Sequence, residues 1–180
     1  MDAMLFNVAQ LMKSDVGTSL ATDFQEDDEV TLDDDFKVVG PLKGHARMRR
    51  TNQGLLVDGW VELTLRLNCT RCLKDFEQPM HVTFEELFYP TVDVVTGMPI
   101  PAFDEEEAFP LDDHHQLDLT EALRQNVLTA IPMVTLCRED CQGLCSQCGK
   151  DLNLGPCDCK PEVDYRLSVL EKLLQDGSLS

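Results

Sequence analysis

Long apolar runs are missing from this sequence of 180 residues. No stretch of 18 or more consecutive apolar residues occurs, so the sequence predicts no transmembrane helix. Met1–Phe6 lacks the basic and apolar regions of a secretory signal peptide, which predicts a cytoplasmic protein. Phosphate-binding glycine loops and nucleophile elbows are also absent. These absences predict that the protein is not an enzyme of the classes that use those motifs.

Basic residues are scarce: 15 Lys and Arg face 33 Asp and Glu, for a formal net charge of −18. This balance disfavours nonspecific nucleic-acid binding, because phosphate contacts supply most of that affinity. It suits a basic protein partner, or it simply keeps the protein in solution. Only residues 41–89 are locally basic, with 7 basic and 6 acidic side chains. If RNA is bound, we expect contacts from Lys43, Arg47, Arg49, Arg50, Arg66, Arg71 and Lys74.

Cysteine, by contrast, is abundant, with eight in the chain and six of them between residues 137 and 159. Cys145-Ser-Gln-Cys148-Gly149 has the form of a zinc knuckle, in which two thiolates on a tight turn reach one ion. Thiolates are soft ligands, and a tetrahedral four-sulfur site suits zinc. We therefore predict structural zinc. Disulfides, an iron–sulfur cluster and a redox pair are weaker alternatives.

The sequence constrains which cysteines bind the metal less than it constrains the identity of the metal. We prefer Cys145 and Cys148 with Cys157 and Cys159, because the intervening Gly155-Pro156 lets the chain turn back and close the site locally. A competing assignment joins the two Cys-x-x-Cys pairs as in a zinc ribbon. The sequence favours one site over two, and a possible second site would use the remaining four cysteines: Cys69, Cys72, Cys137 and Cys141.

Hydrophobic periodicity predicts a sheet before a helix. Leu55 to Leu67 alternates between apolar and polar residues, as in a half-buried strand, and Thr51–Gly54 before it signals a hairpin turn. Phe76 to Tyr89 is predicted as the return strand, with Val82, Phe84 and Leu87 as its apolar residues. Upstream, residues 4–12 suit a strand or short helix, and residues 13–35 a loop with one short strand near Leu32.

Residues 118–131 have a helical apolar face, with Asp118 as predicted N-cap and Glu121 three residues on. A second helix is predicted over 161–174, and residues 90–116 read as a long loop in which His114 and His115 are weak metal candidates. The fold class expected is α+β: a mainly antiparallel sheet packed by one or two helices, with a C-terminal cysteine-rich zinc-binding module. We expect an α+β domain with acidic loops over 1–136 and the module with its helix over 137–180.

Three motifs together suggest a family: Cys69-Thr-Arg-Cys72 after the alternating strand, the helix ending Leu128-Thr-Ala-Ile-Pro132, and Cys141 through Cys159. In this order they resemble the YceD family, the large ribosomal RNA subunit accumulation proteins of bacteria and plastids, over residues 30–175. The resemblance implies a non-enzymatic factor for rRNA accumulation, processing or ribosome assembly that binds an rRNA precursor or a ribosomal protein. Two alternatives are an acidic chaperone for a basic ribosomal protein and, more weakly, a metal-dependent nuclease.

Overall fold

The computed structural model describes residues 4–27, 31–33, 36–101 and 108–159, the side chains of 31–33 excepted. Nine strands and two α-helices lie in these ranges, together with one 3₁₀ turn, Leu152–Leu154. In chain order they are β1 Leu5–Asn7, α1 Ala9–Lys13, β2 Ser19–Glu26, β3 Thr31–Asp33, β4 Phe36–Val38, β5 Leu42–Arg50, β6 Leu55–Asn68, β7 Asp75–Tyr89, β8 Phe109–Pro110, β9 Gln116–Asp118 and α2 Thr120–Ala130.

The main sheet is organised around β6. On one side β6 pairs along its whole length with β7, and on the other it pairs first with β5 and then, at Leu65 and Arg66, with β4. β2 continues the sheet beyond β5, and β3 continues it beyond β4. All these pairs are antiparallel, and only the short β8 lies parallel to β7. The predicted α+β class with a mainly antiparallel sheet is therefore confirmed.

Alternation along β6 places one row of side chains in the core. Every second residue from Leu55 to Leu67 is buried except Gly59, as the period-two pattern predicts. On β7, Val82 and Phe84 are buried as expected, but Leu87 is the wrong choice. Phe88 faces the core instead, because it keeps the same parity as Phe84 and pairs directly with Leu55.

Helix α2 contacts β7 and buries Ala122, Leu123 and Val127. The predicted capping box at its start is wrong, because Leu119 occupies the N-cap position and Glu121 turns towards Arg124. The Asp118 carboxylate still accepts a hydrogen bond from the Thr120 N–H, at 2.8 Å. Asp118 therefore still accepts a hydrogen bond from the first turn of α2, but it lies one residue before the N-cap and not at the N-cap itself.

The N-terminal region holds more regular structure than its composition suggests. Residues 4–12 form both a strand and a helix: β1 pairs with β9, and α1 buries Leu11 and Met12. The expectation of a loop with one short strand over 13–35 is wrong, since β2 runs for eight residues along β5. Its even-numbered residues Phe24 and Glu26 point inward. The polar, acidic sequence there reflects an edge strand with one solvated row.

Two expectations lie partly or wholly beyond these ranges. The helix predicted over 161–174 is outside the described residues, as are residues 102–107 of the loop predicted over 90–116. The division into domains at residue 137 stays a prediction. Across the described part of the chain, neither helix has the length and apolar character needed to cross a bilayer.

Candidate metal centres

The turn between β6 and β7 forms the first cysteine knuckle. The Cys69 N–H donates to the Lys74 carbonyl at 2.9 Å, and the Leu73 N–H donates to the Cys69 carbonyl at 2.8 Å. These bonds fold the chain tightly enough to bring the thiols of Cys69 and Cys72 to the same side. The turn requires a positive φ at the residue after the second cysteine, and Leu73 adopts it at 59°.

The second knuckle repeats this geometry. The Cys145 N–H donates to the Lys150 carbonyl at 2.9 Å, and the Gly149 N–H donates to the Cys145 carbonyl at the same distance. Gly149 has a φ of 69°, which glycine adopts without strain. The two knuckles share the sequence Cys-x-x-Cys-x-Lys-Asp, at Cys69–Asp75 and at Cys145–Asp151. This repeat indicates two equivalent half-sites, and its Lys-Asp extension is a signal that our sequence reasoning missed.

The two cysteines of the first knuckle lie close to two cysteines of the C-terminal cysteine-rich segment. Cys69, Cys72, Cys137 and Cys141, here called the buried tetrad, have Sγ atoms all within 4.8 Å of one another. The Cys69–Cys141 and Cys72–Cys137 sulfur distances are 3.8 and 3.7 Å. A tetrahedron with metal–sulfur bonds of about 2.3 Å has edges of about 3.8 Å. The spacing thus fits one four-coordinate ion.

The same spacing bears on the alternatives. A disulfide joins its sulfurs at about 2.05 Å, and the structure has all eight cysteines free. In a multi-iron cluster the thiolates bind different irons, which holds them further apart than the ligands of a single ion. The zinc-ribbon pairing is not assembled, because Cys69 and Cys72 group with Cys137 and Cys141 and not with the second knuckle.

The second group, called the exposed tetrad, contains the four cysteines that the sequence favoured. Cys145, Cys148, Cys157 and Cys159 also have sulfurs within 4.8 Å of one another. Cys148 and Cys159 are exposed, and Cys145 and Cys157 are half-buried. The tight Cys157-Asp-Cys159 spacing is compatible with this grouping. Metal binding at either tetrad, and zinc as the metal, remain predictions.

Electrostatics lower the pKa of one thiol in each tetrad and raise that of at least one other. Backbone N–H groups, that of Cys137 first, lower the pKa of Cys69 to about 6. Those of Cys148 and Gln147 do the same for Cys145, also to about 6. Burial raises the pKa of Cys137 to about 12. The neighbouring Cys148 sulfur raises that of Cys159 to about 12. A divalent cation would relieve this crowding of negative charge.

A network of polar contacts joins the two tetrads. The Lys74 ammonium lies 2.5 Å from the Asp151 carboxylate, so the Lys-Asp positions of the two knuckles pair with each other. Asn153 donates to the Cys141 sulfur at 3.5 Å and accepts from the Gln142 N–H at 2.8 Å. The Leu144 N–H donates to the carbonyl of Arg71 at 3.1 Å. The second knuckle is thereby fastened to the β6–β7 turn.

The structure gives several of the predicted RNA-contacting residues intramolecular partners. Arg71 donates to the Cys141 carbonyl at 2.8 Å, and Lys74 pairs with Asp151. Arg50 donates to the Gly54 carbonyl at 3.1 Å, which places it in the β5–β6 hairpin. These three side chains hold turns together. Whether they also contact RNA stays a prediction.

The remaining four candidates lie on the outer face of the sheet, away from the core. Arg47 and Arg49 both contact Asp58, at 2.7 and 3.3 Å. Arg66 pairs with Glu77 at 3.4 Å, further along the same face. Lys43 is exposed on β5, in the same row as Arg47 and Arg49. The structure therefore brings three of the seven together on one strand.

The adjacent histidines of the 108–118 segment have a different setting. The Asp112 carboxylate accepts from the N–H groups of His114 and Gln116, at 2.9 and 2.6 Å, and so shapes a turn. In the ranges that the structure describes, neither His114 nor His115 joins a cluster of metal-ligating side chains.

Fold and sites together define an α+β protein whose antiparallel sheet carries two four-cysteine candidate metal centres. Residues 57–174 match the family described as "Large ribosomal RNA subunit accumulation protein YceD". This match covers about two thirds of the chain and includes all eight cysteines, and so the chain belongs to the YceD family.

Individual relatives agree with this membership. An uncharacterized protein of Mycobacterium tuberculosis is 32% identical over 129 residues, covering 71% of this chain and 59% of the relative. The uncharacterized protein YlbN of Bacillus subtilis is 28% identical over 153 residues, covering 83% of each. A maize protein named "Large ribosomal RNA subunit accumulation protein YCED homolog 1, chloroplastic" is 27% identical over 156 residues, covering 73% of this chain and 53% of its own. The chain thus spans about three fifths of the mycobacterial relative. No solved structure matches it significantly.

Proposed function

We propose that this protein is a non-enzymatic cytoplasmic factor for the accumulation of large-subunit rRNA, acting in rRNA processing or ribosome assembly. The observation that carries the proposal is the family match over residues 57–174. That range contains most of β6, all of β7 and α2, and both tetrads. The proposed partners are an rRNA precursor, a ribosomal protein, or both.

The chemistry of the two tetrads supports a structural role for the metal. The Zn²⁺ we propose at each would be held by four thiolates, a ligand set typical of closed structural sites. Catalytic zinc keeps one position open for water or substrate. We therefore assign the metal to folding and propose no reaction at either centre.

Net charge favours one second candidate, an acidic chaperone for a basic ribosomal protein. A formal charge of −18 favours association with a cationic partner over association with nucleic acid. Both candidates predict a defect in large-subunit assembly. They differ in whether the partner that contacts this chain is RNA or protein.

Depletion in a native host, followed by quantification of both rRNAs, tests the shared part of the proposal. We expect the ratio of large-subunit to small-subunit rRNA to fall and unprocessed large-subunit precursors to change in amount. An unchanged ratio and precursor profile would contradict the proposal. Crosslinking of the tagged full-length chain in cells, with RNA and protein both identified, then separates the two candidates.

A matched pair of charge reversals sharpens that comparison. Lys43→Glu alters the outer row of β5, and Lys13→Glu makes the same charge change at the end of α1, a helix that contacts β5. For an RNA partner we expect Lys43→Glu to reduce crosslinking and Lys13→Glu to have little effect. Equal losses in both variants would mean that net charge alone governs association.

A further inference from the structure

The outer face of the sheet carries a basic row. The residues of β5 that point away from the core are Lys43, His45, Arg47 and Arg49, so each is a cation or an imidazole. In a chain with a formal charge of −18, four such side chains in one unbroken row stand out. Alternate strand residues lie about 6.8 Å apart, so the row extends over roughly 20 Å.

Beside this row lies an aromatic pair. Trp60 on β6, the only tryptophan in the chain, is directly opposite His45 on β5. On the other side the His81 ring from β7 stacks on Trp60, with ring centroids 5.6 Å apart and planes inclined by 25°. The His81 side chain is 55% exposed, so the outer edge of this stack is open to solvent.

A shallow concavity of about 590 Å³ borders Trp60. Its polar lining residues on the outer face include Arg47, Asp58, Thr83 and Glu85, which offer both donors and acceptors. This volume is in the usual range for small-molecule sites. It admits a nucleoside-sized group beside the tryptophan ring.

Glycine at position 59 maintains this arrangement. A Cβ atom on Gly59 would lie 2.0 Å from the His45 carbonyl oxygen. Any other residue would therefore push β5 away from β6 at the point where the basic row and the aromatic pair meet. The close approach of the strands keeps His45, Trp60 and Arg47 around one concavity.

We infer that this face, with Trp60 and His81 at its centre and the β5 row beside it, binds single-stranded RNA by stacking of a base. Proteins recognise single-stranded RNA with exposed aromatic rings on sheet surfaces, and arginine adds cation–π contacts. The inference deepens the proposed function and rests on it, because family membership is what directs attention to rRNA. Duplex RNA keeps its bases stacked internally, so it cannot use such a platform.

The charges around the platform predict how the RNA is held. Asp58 already contacts both Arg47 and Arg49. Asp23 pairs with His45 at 2.7 Å, and Glu62 lies 3.3 Å from His81. Net attraction for phosphate is therefore small. We expect stacking to supply most of the affinity, with log Kd changing by only about 0.7 to 1.4 per tenfold change in salt, the slope for one or two phosphates.

Trp60 provides its own reporter. Titration of the full-length, zinc-loaded protein with a 12-nucleotide unstructured RNA should quench tryptophan fluorescence, and the same titration with a blunt RNA duplex should not. Trp60→Leu should weaken binding, measured by anisotropy of labelled RNA, at least about fivefold. Trp60→Phe should retain most of the affinity. Met133→Ala, which truncates a fully exposed apolar residue elsewhere, is the matched control and should bind as the parent does.

Circular dichroism of each variant separates a loss of RNA binding at the platform from a loss of the fold. His81→Ala, which changes an exposed side chain, gives a second test of stacking at this face. Unquenched Trp60 fluorescence in the parent protein would overturn the inference. Unchanged affinity in both Trp60→Leu and His81→Ala would also overturn it, as would equal affinity for the duplex. Quenching by a basic peptide but not by RNA would also overturn it. The proposed function fails separately, if depletion leaves the ratio of the two rRNAs unchanged.

Discussion

The two tetrads have the same ligands but different surroundings. The buried tetrad joins cysteines 65 and 72 positions apart in the sequence, and Phe76, Leu136 and Leu144 pack against it. The exposed tetrad is closed by residues 145–159 alone, and two of its four cysteines are exposed. The same four-thiol grouping thus joins distant segments of the chain at the buried tetrad and closes a single loop at the exposed tetrad.

This difference teaches that sequence distance, more than ligand type, sets what a metal would contribute. A cross-link between distant segments restricts the unfolded chain more than the closure of a short loop does, although this loss of entropy grows only gradually with loop length. Burial also shields a centre from competing ligands. We therefore expect the buried tetrad to support the sheet and the exposed tetrad to support only its own loop. Four predictions test this contrast, in order of decreasing effect.

The largest effect should come from removing one ligand of each tetrad in turn. Cys72→Ser and Cys148→Ser alter equivalent positions of the two knuckles. We expect Cys72→Ser to lower the free energy of unfolding by about 4 kcal/mol or more, because it disables a buried centre, and Cys148→Ser by about 1–2 kcal/mol. Urea unfolding followed by Trp60 fluorescence measures both. Equal losses would show that the tetrads are energetically equivalent.

Zinc release should separate the centres kinetically. We expect the full chain to bind two zinc ions and to release them to a chromogenic chelator in two phases, with rates differing by about tenfold or more. The fast phase should be missing in Cys148→Ser and the slow phase in Cys72→Ser. A single phase, or one zinc per chain, would contradict the assignment of two centres.

A smaller effect is expected at the contact between the knuckles. Lys74, and then the N–H of Asn153, hold the pKa of Asp151 at about 2, well below its usual value. Asp151→Asn keeps the size of the side chain and removes its charge. We expect zinc release from the exposed tetrad to accelerate by up to about tenfold, with the slow phase unchanged. Asp113→Asn, an exposed substitution away from both tetrads, is the control. Acceleration of both phases would mean that the tetrads are coupled.

The smallest change in the free energy of unfolding is expected at a surface ion pair on α2, which serves as a reference away from both tetrads. Arg124, and then Gln125, hold the pKa of Glu121 on α2 at about 2. A lowered pKa stabilises the fold above the unfolded value of about 4.3 and loses that contribution as the pH falls towards 2. Glu121→Gln should cost only about 0.3–0.5 kcal/mol at pH 7, because the pair is half exposed.

Unfolding measurements from pH 7 to pH 3 check the sign. The difference between Glu121→Gln and the parent should stay constant down to about pH 5 and shrink below it, as the unfolded state begins to take up the proton. Glu139→Gln, an exposed change near the buried tetrad, gives a comparison of equal charge. A difference that grows on acidification would contradict the assignment.

The alternation of apolar and polar residues predicted the central strand of the sheet but not the strand at its edge. Strand β6 could be predicted because alternate burial repeats from Leu55 to Leu67. Strand β2 could not, because an edge strand needs only one buried row and its exposed row resembles a polar loop. Phe88 was missed for a related reason: its partner Leu55 lies 33 positions earlier, and register is a tertiary property.

By itself, the sequence predicted thiolate ligands for a metal and determined the grouping of the exposed tetrad, because Cys145 to Cys159 are close enough along the chain for a short turn to assemble them. It also carried the family membership, in the order of its motifs. Only the tertiary structure decided that Cys137 and Cys141 join Cys69 and Cys72, and that His81 lies on Trp60. Those contacts follow from the pairing of β6 with β7 and the docking of the cysteine-rich segment on their turn, which no local spacing encodes.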